Sequence, residues 1–165
     1  MGTILLTTYF AGGCFWGVEH HFVNQEGVIS ATSGYMGGKM PNPNYRSICT
    51  GDTGHLEVVA VKYDSSKVSL ETLTKLFFEI HDFEQTNGQG PDIGSQYLSA
   101  IFYHNDEEKE ILKNTINTLT TKGYNVATKL ISTHNTPFFK AEDYHQNYYE
   151  KTGKFPYCHM YKKIF

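Results

Sequence analysis

Along this chain the apolar positions change period from two to about 3.6 and back, and the changes mark out its elements. Ile4 to Phe10, Val28 to Tyr35, Leu56 to Tyr63, Tyr97 to Tyr103 and Val126 to Ile131 read as strands. The clearest is Leu56 to Tyr63, rich in β-branched residues and followed by the turn Asp64-Ser65-Ser66. Helical spacing covers Phe15 to Gln25, Leu70 to His81, Asp106 to Thr121 and, more briefly, Ala141 to Tyr149. Ser69 and Asn105 stand where N-caps belong, and Leu70, Leu73, Phe77 and Ile80 make one inward face. The order β-α-β-β-α-β-α-β predicts an α+β fold: one domain over 1–165 with a split β-α-β (ferredoxin-like) core sheet packed by helices. Two stretches lack any period, Gly34 to Gly54 and Thr86 to Gln96. They predict long glycine-rich loops that mix glycine with tyrosine, acid and amide side chains, as a polar site requires. A coiled tail is expected at the C-terminus.

Composition narrows the class. The chain has 165 residues, enough for a real core, and a formal net charge of -3 with no dense basic cluster, so nucleic acid is not an expected partner. No stretch has membrane-spanning length, and the N-terminus lacks a charged leader, so no membrane association is expected. The three cysteines, Cys14, Cys49 and Cys158, are too few and odd in number for a disulfide framework. They point to a reducing compartment, and a cytoplasmic enzyme, expected as a monomer, is the natural class.

The chemistry concentrates in Gly12-Gly13-Cys14-Phe15-Trp16-Gly17-Val18-Glu19. Cys14 falls where a strand gives way to a helix. Unpaired amides and the helix dipole favour negative charge there, which eases ionisation of a thiol to the nucleophilic thiolate. An isolated cysteine is more often a small buried hydrophobe. The paired glycines and the Cys-Phe-Trp order favour a reactive one.

Five motifs then occur in order: the stretch just quoted, Ser33-Gly34-Tyr35-Met36-Gly37-Gly38, Thr50-Gly51-Asp52-Thr53-Gly54-His55-Leu56-Glu57-Val58-Val59, Gln89-Gly90-Pro91-Asp92-Ile93-Gly94-Ser95-Gln96-Tyr97, and Ala141-Glu142-Asp143-Tyr144-His145-Gln146. In these the chain resembles the peptide methionine sulfoxide reductases of the A type, from about Tyr9 to His145. The resemblance implies thiol-dependent reduction of methionine S-sulfoxide, free or in proteins. It implies Cys14 as nucleophile and Glu57 as the acid that protonates the departing oxygen; among apolar neighbours a carboxyl is expected to stay protonated near neutral pH. Read from its strand alone, Glu57 is more often a solvent-facing glutamate, and the resemblance reverses that order.

The resemblance further assigns Tyr45 and Tyr97 as hydrogen-bond donors to the oxygen and Asp92 to the polar network. It makes Phe15 and Trp16 the pocket for the substrate's S–CH3 group. Attack leaves Cys14 as a sulfenic acid. Cys158 occupies the place of a resolving cysteine, with thioredoxin as recycling partner and no bound cofactor or metal. Glu19 receives no catalytic role, and Cys49 reads as structural. The chain departs from the family at Phe83, Glu84 and Gly88, where proline, threonine and arginine are usual, and in the tail Met160 to Phe165, which lacks the glycine-rich form.

Other readings of Cys14 stay open on sequence. A thiol peroxidase would share the sulfenic step, and a cysteine hydrolase would pair Cys14 with His55 or His145. A metal-binding module is disfavoured by the spacing, with no Cys-x-x-Cys and with His20 and His21 adjacent.

Overall fold

The computed structural model describes residues 4–51, 53–153 and 159–165. Their elements run β1 (Leu5–Gly12), α1 (Phe15–Val23), β2 (Val28–Met36), α2 (Tyr45–Ile48), β3 (Leu56–Asp64), α3 (Leu70–Glu79), β4 (Gly88–Gln89), β5 (Asp92–Ile93), β6 (Ser99–Tyr103), α4 (Asp106–Thr121), β7 (Lys129–Ser132), β8 (Phe139–Lys140) and α5 (Tyr148–Thr152). A six-stranded sheet has the order β7-β6-β1-β3-β2-β8. All its pairs are antiparallel except β6–β7. β3 therefore lies between β1 and β2, and β1 between β3 and β6, so α1 and α3 each link two parallel, non-adjacent strands.

Alternation along the strands sorts the core into two layers. Phe10, Val59, Val61 and Ile101 face the helices, meeting Phe15, Val18 and Phe22 of α1, Leu73 and Phe77 of α3, and Leu112 and Leu119 of α4. Ala11, Val58, Ala100 and Phe102 face the other way, toward Met36, Leu56 and Phe138. Phe10 stacks between Phe22 and Phe77, with ring centroids 4.7 and 4.9 Å away. Burying each such ring is worth about 1.5–3 kcal/mol. Glu57 shares the parity of Val59 and Val61, so it points to the helix side. The expected caps are present: the Ser69 and Asn105 side chains accept from Thr72 N and Glu108 N.

Several boundaries depart from expectation. Tyr97 is in a 3-10 turn, Ser95–Tyr97, rather than in the strand, because Tyr97 N–H bonds back to Gly94 O and pairing with β1 starts at Ser99. The strand expected over Val126 to Ile131 begins only at Lys129, because Ala127 N–H is spent on Phe83 O. The helix expected over Ala141 to Tyr149 is instead a 3-10 turn, Asp143–His145, then α5, broken by Asn147 in the left-handed region (φ 53°). The glycine-rich loops hold small elements of their own. α2 is closed by a capping box between Asn44 and Ser47, and β4 and β5 form a hairpin. Residues 159–165 carry no helix or strand. Among the described residues no helix is long and apolar enough to cross a membrane.

Candidate active site

The site forms where β1 ends, β3 begins and both glycine-rich loops return to the sheet. β1 runs straight to Gly12, and the chain then turns at Gly13 with φ 95°, a conformation that suits glycine. A Cβ at Gly13 would stand 2.5 Å from Cβ of Gln89, so glycine also lets the second loop pack down. The buried Gln89 is fixed by accepting from Asp82 N–H at 2.7 Å and donating to Asp82 O at 2.9 Å. Cys14, half-buried, is the residue immediately before α1, where the first amides have no partner within the helix.

The next amide, Phe15 N–H, donates to Glu57 Oε1 at 3.2 Å. Glu57 is 1% exposed, and its Oε2 is buried with no hydrogen-bond partner among the described residues. Burial drives its pKa up to about 8, helped by the negative charge of Asp92 and opposed by the Phe15 amide. Near pH 7 the carboxyl is therefore mostly protonated.

Two phenols face the same space. Tyr97 is held above the ordinary tyrosine range first by burial and then by the charges of Glu57, Asp92, Cys49 and Cys14. Tyr45, at the start of α2, is raised by burial, by a hydrogen bond with Cys49 and by the nearby Glu57 and Tyr97. Both stay O–H donors at any working pH. The electrostatic neighbours of Tyr97 thus join Cys14, Glu57 and Asp92 into one cluster with the two tyrosines. Cys49 is exposed and belongs to the same rim.

The aromatic pair after Cys14 divides its work. Phe15 is 1% exposed, packed 5.6 Å from the Tyr35 ring and 5.1 Å from the His145 ring. Trp16 is partly exposed, stacks on Tyr148 at 3.7 Å, and donates from Nε1 to His145 Nδ1 at 3.0 Å. His145, which the sequence offers only as a hydrolase partner for Cys14, instead holds the Trp16 indole, and Tyr148 is a site neighbour that sequence reading did not single out. Glu142 is another: it accepts from Tyr35 OH at 2.9 Å, Tyr45 N–H at 3.0 Å and Tyr144 OH at 3.1 Å. Burial opposes its ionisation, but these hydrogen bonds win and hold its carboxyl below the usual range. It ties the start of α2, and hence Tyr45, to the C-terminal segment. The signal was available in Glu142-Asp143-Tyr144-His145-Gln146, whose polar residues had been placed on a helix.

The departures at residues 83, 84 and 88 have local consequences. Phe83 packs edge-on to Phe78 and Tyr124, and Glu84 accepts from Asn125 N–H at 2.9 Å. A Cβ at Gly88 would lie 2.1 Å from Asp92 O, so this hairpin cannot take arginine without moving. His55 is occupied structurally: Nδ1 accepts from Gly38 N–H at 3.1 Å and Nε2–H donates to Met40 O at 2.6 Å. Among the described residues no three His, Cys, Asp or Glu side chains gather as metal ligands. Cys158 lies outside the described residues.

The mixed α/β fold thus sets Cys14 at a helix start, one residue before an amide bonded to the buried Glu57 carboxyl. The family model for peptide methionine sulfoxide reductase matches residues 6–165. The chain is 48% identical over 153 residues to the peptide methionine sulfoxide reductase MsrA of Ruthia magnifica, covering 93% of this chain and 91% of that protein. Among solved structures it is similar to reduced Mxr1 from Saccharomyces cerevisiae, at 34% identity and TM-score 0.86 over 96% of this chain and 92% of that one. It is also similar to methionine sulfoxide reductase A of Corynebacterium diphtheriae, at 35% identity and TM-score 0.81, covering 90% of this chain and 76% of that one. This chain belongs to the peptide methionine sulfoxide reductase family.

Proposed function

We propose that this enzyme reduces methionine S-sulfoxide, free or within proteins, in two thiol steps. In the first, the Cys14 thiolate attacks the sulfoxide sulfur while Glu57 gives its proton to the oxygen. The S–S-bonded intermediate then collapses: the hydroxyl passes from the substrate sulfur to the Cys14 sulfur, the bond between the two sulfurs breaks, methionine leaves, and Cys14 is left as a sulfenic acid. The substrate sulfur gains two electrons and the Cys14 sulfur loses two. Tyr45 and Tyr97 donate to the oxygen as charge builds on it, and Asp92 helps keep Glu57 protonated. Trp16, over the buried Phe15, receives the S–CH3 group by dispersion and sulfur–aromatic contact.

In the second step Cys158 attacks the sulfenic sulfur. An S–S bond forms, and hydroxide leaves with the thiol proton as water. A solved structure of yeast Mxr1 holds that protein in complex with Trx2. A thioredoxin-type dithiol is the reductant in this reading, with no bound cofactor or metal. The reading also takes the enzyme as a cytoplasmic monomer, and its four central strands as the ferredoxin-like core.

What supports the reading most is the state of Glu57: buried, protonated near pH 7, with one carboxyl oxygen unengaged among the described residues and the other on the amide after Cys14. The test is a dithiol-dependent assay on each sulfoxide epimer separately. Turnover of the S epimer alone, abolished in Cys14→Ser, is expected, because a serine hydroxyl is neither ionised nor soft. Substantial turnover by Cys14→Ser would end the assignment.

A further inference from the structure

His159 directly follows Cys158. Its ring is 1% exposed and is wedged against the glycines that bracket Cys14. Nε2–H donates to Gly12 O at 2.7 Å. Nδ1 faces Gly17, where a Cβ would lie 2.1 Å away, and has no hydrogen-bond partner among the described residues. The backbone carbonyl of His159 accepts from His21 Nε2–H of α1. Gly17 is one helical turn beyond Cys14, and any side chain there would evict the imidazole. Burial pushes the His159 pKa down to about 4, with His21 adding to the effect, so the neutral ring keeps this seat at neutral pH. Downstream, Lys162 N–H donates to Glu79 O and Ile164 N–H to Glu79 Oε2, both at 2.8 Å, and Lys75 Nζ lies over the Phe165 ring. The chain after Cys158 is thus bound to α1 and α3 rather than hanging from the domain.

We infer that His159 is a positioning residue for the second half of the cycle: seated on Gly12 and Gly17, it fixes the chain next to Cys158 against the turn that carries Cys14. This rests on the reading above, in which Cys158 resolves the sulfenic acid. A disulfide tolerates only a narrow range of Cα separations and angles, so a tether on the adjacent residue raises the fraction of time the attacking thiol is in reach. Among the described residues the hydrogen bonds of the seat run to Gly12 and His21, not to Glu57, Tyr45 or Tyr97, so methionine formation should not depend on it.

Three variants test this: His159→Ala, which empties the seat; Gly17→Ala, which fills it; and His159→Gln, whose amide can still donate to Gly12 O. Each is mixed with one equivalent of methionine S-sulfoxide without reductant. Methionine release, sulfenic acid trapped by a 1,3-diketone, and the Cys14–Cys158 disulfide are followed by quench and peptide mapping. The expected result is methionine release at nearly the wild-type rate in all three. Disulfide formation should slow by about 10–100-fold in His159→Ala and Gly17→Ala, with sulfenic acid accumulating, and recover in part in His159→Gln. Wild-type disulfide rates in His159→Ala and Gly17→Ala would overturn the inference, and so would parallel loss of both steps. If the alanine variants do not fold, a disulfide rate in His159→Gln below wild type, at an unchanged methionine rate, supports it, and an unchanged disulfide rate overturns it. If wild type itself forms no Cys14–Cys158 disulfide, the resolving role of Cys158 fails and the inference falls with it.

Discussion

Two glutamates, Glu19 within α1 and Glu57 on β3 beside its start, are each 1% exposed, and the helix side of the sheet treats them in opposite ways. Glu19 is saturated: it accepts from the Ser33 hydroxyl and from Asn147 N–H. Next to it the Gln146 amide closes a pair of 2.9 Å bonds with the Ser33 backbone, so α1, β2 and the C-terminal segment are tied together. Glu57 has one backbone amide on one oxygen and nothing on the other among the described residues. Burial raises the pKa of both, but hydrogen bonds from Ser33 and Asn147 and the charge of Lys151 pull Glu19 back. Equal surface exposure thus accompanies a strut in one place and a stored proton in the other. The difference lies in the deeper desolvation of Glu57 and in the donors supplied to Glu19, since leaving a buried polar atom unpaired costs about 1–3 kcal/mol. A fold keeps such an atom where the proton is used.

The contrast makes the largest prediction one of rate. Glu57→Gln keeps shape and volume but carries no acidic proton. Single-turnover methionine formation should fall by about 10²–10⁴-fold, the usual worth of general acid catalysis, with circular dichroism unchanged. A variant as fast as wild type would remove Glu57 from the chemistry. Tyr45→Phe and Tyr97→Phe should each cost less, roughly tenfold, the equivalent of one neutral hydrogen bond of about 1–1.5 kcal/mol. Stopped-flow single turnovers of the two variants would measure this.

Glu19→Ala should behave the other way. It strands the Asn147 amide and the Ser33 hydroxyl, and denaturant unfolding should show a loss of about 1–3 kcal/mol. The single-turnover rate should stay close to wild type under conditions where the variant is folded. A large rate loss in a stable Glu19→Ala protein would erase the distinction between the two carboxylates.

The two carboxyls also separate by pH. The folded pKa of Glu57, about 8, lies above its ordinary value near 4.5. Across that interval the native state holds a proton that the unfolded chain releases. Its contribution to stability is complete below about pH 4.5 and is lost as pH rises through about 8. The difference in unfolding free energy between wild type and Glu57→Gln should therefore drift in the variant's favour from pH 5 to pH 9. A difference that is flat with pH would place the Glu57 pKa near its ordinary value.

How much of this was legible in the sequence follows the same division between local and long-range causes. β3, α3 and α4 carry their own period and caps, and Ser69 and Asn105 do what their positions suggest. Cys14 and Glu57 could be singled out by motif, but the bond between Phe15 N–H and Glu57 spans 42 residues and is invisible to any local window. Glu142, His145 and Asn147 have helical spacing yet do not form one helix, because their backbone and side-chain groups answer to Tyr45, Trp16 and Glu19, all distant in sequence. α2 was missed although Asn44 and Ser47 spell its capping box, because four residues carry too little period to register. The roles of Phe83 and Gly88 emerge only when residues 124–127 and the β4–β5 hairpin are folded against them.

The central claim is that Glu57 stands protonated beside Cys14 at neutral pH. Infrared difference titration of the reduced enzyme from pH 5 to pH 10 tests it most directly. The account predicts a protonated-carboxyl C=O band present at pH 7, bleaching with a midpoint near pH 8, absent from Glu57→Gln and retained in Glu19→Gln. The contradicting result is that Glu57→Gln removes no such band at pH 7, or that the band it removes titrates near pH 4.5.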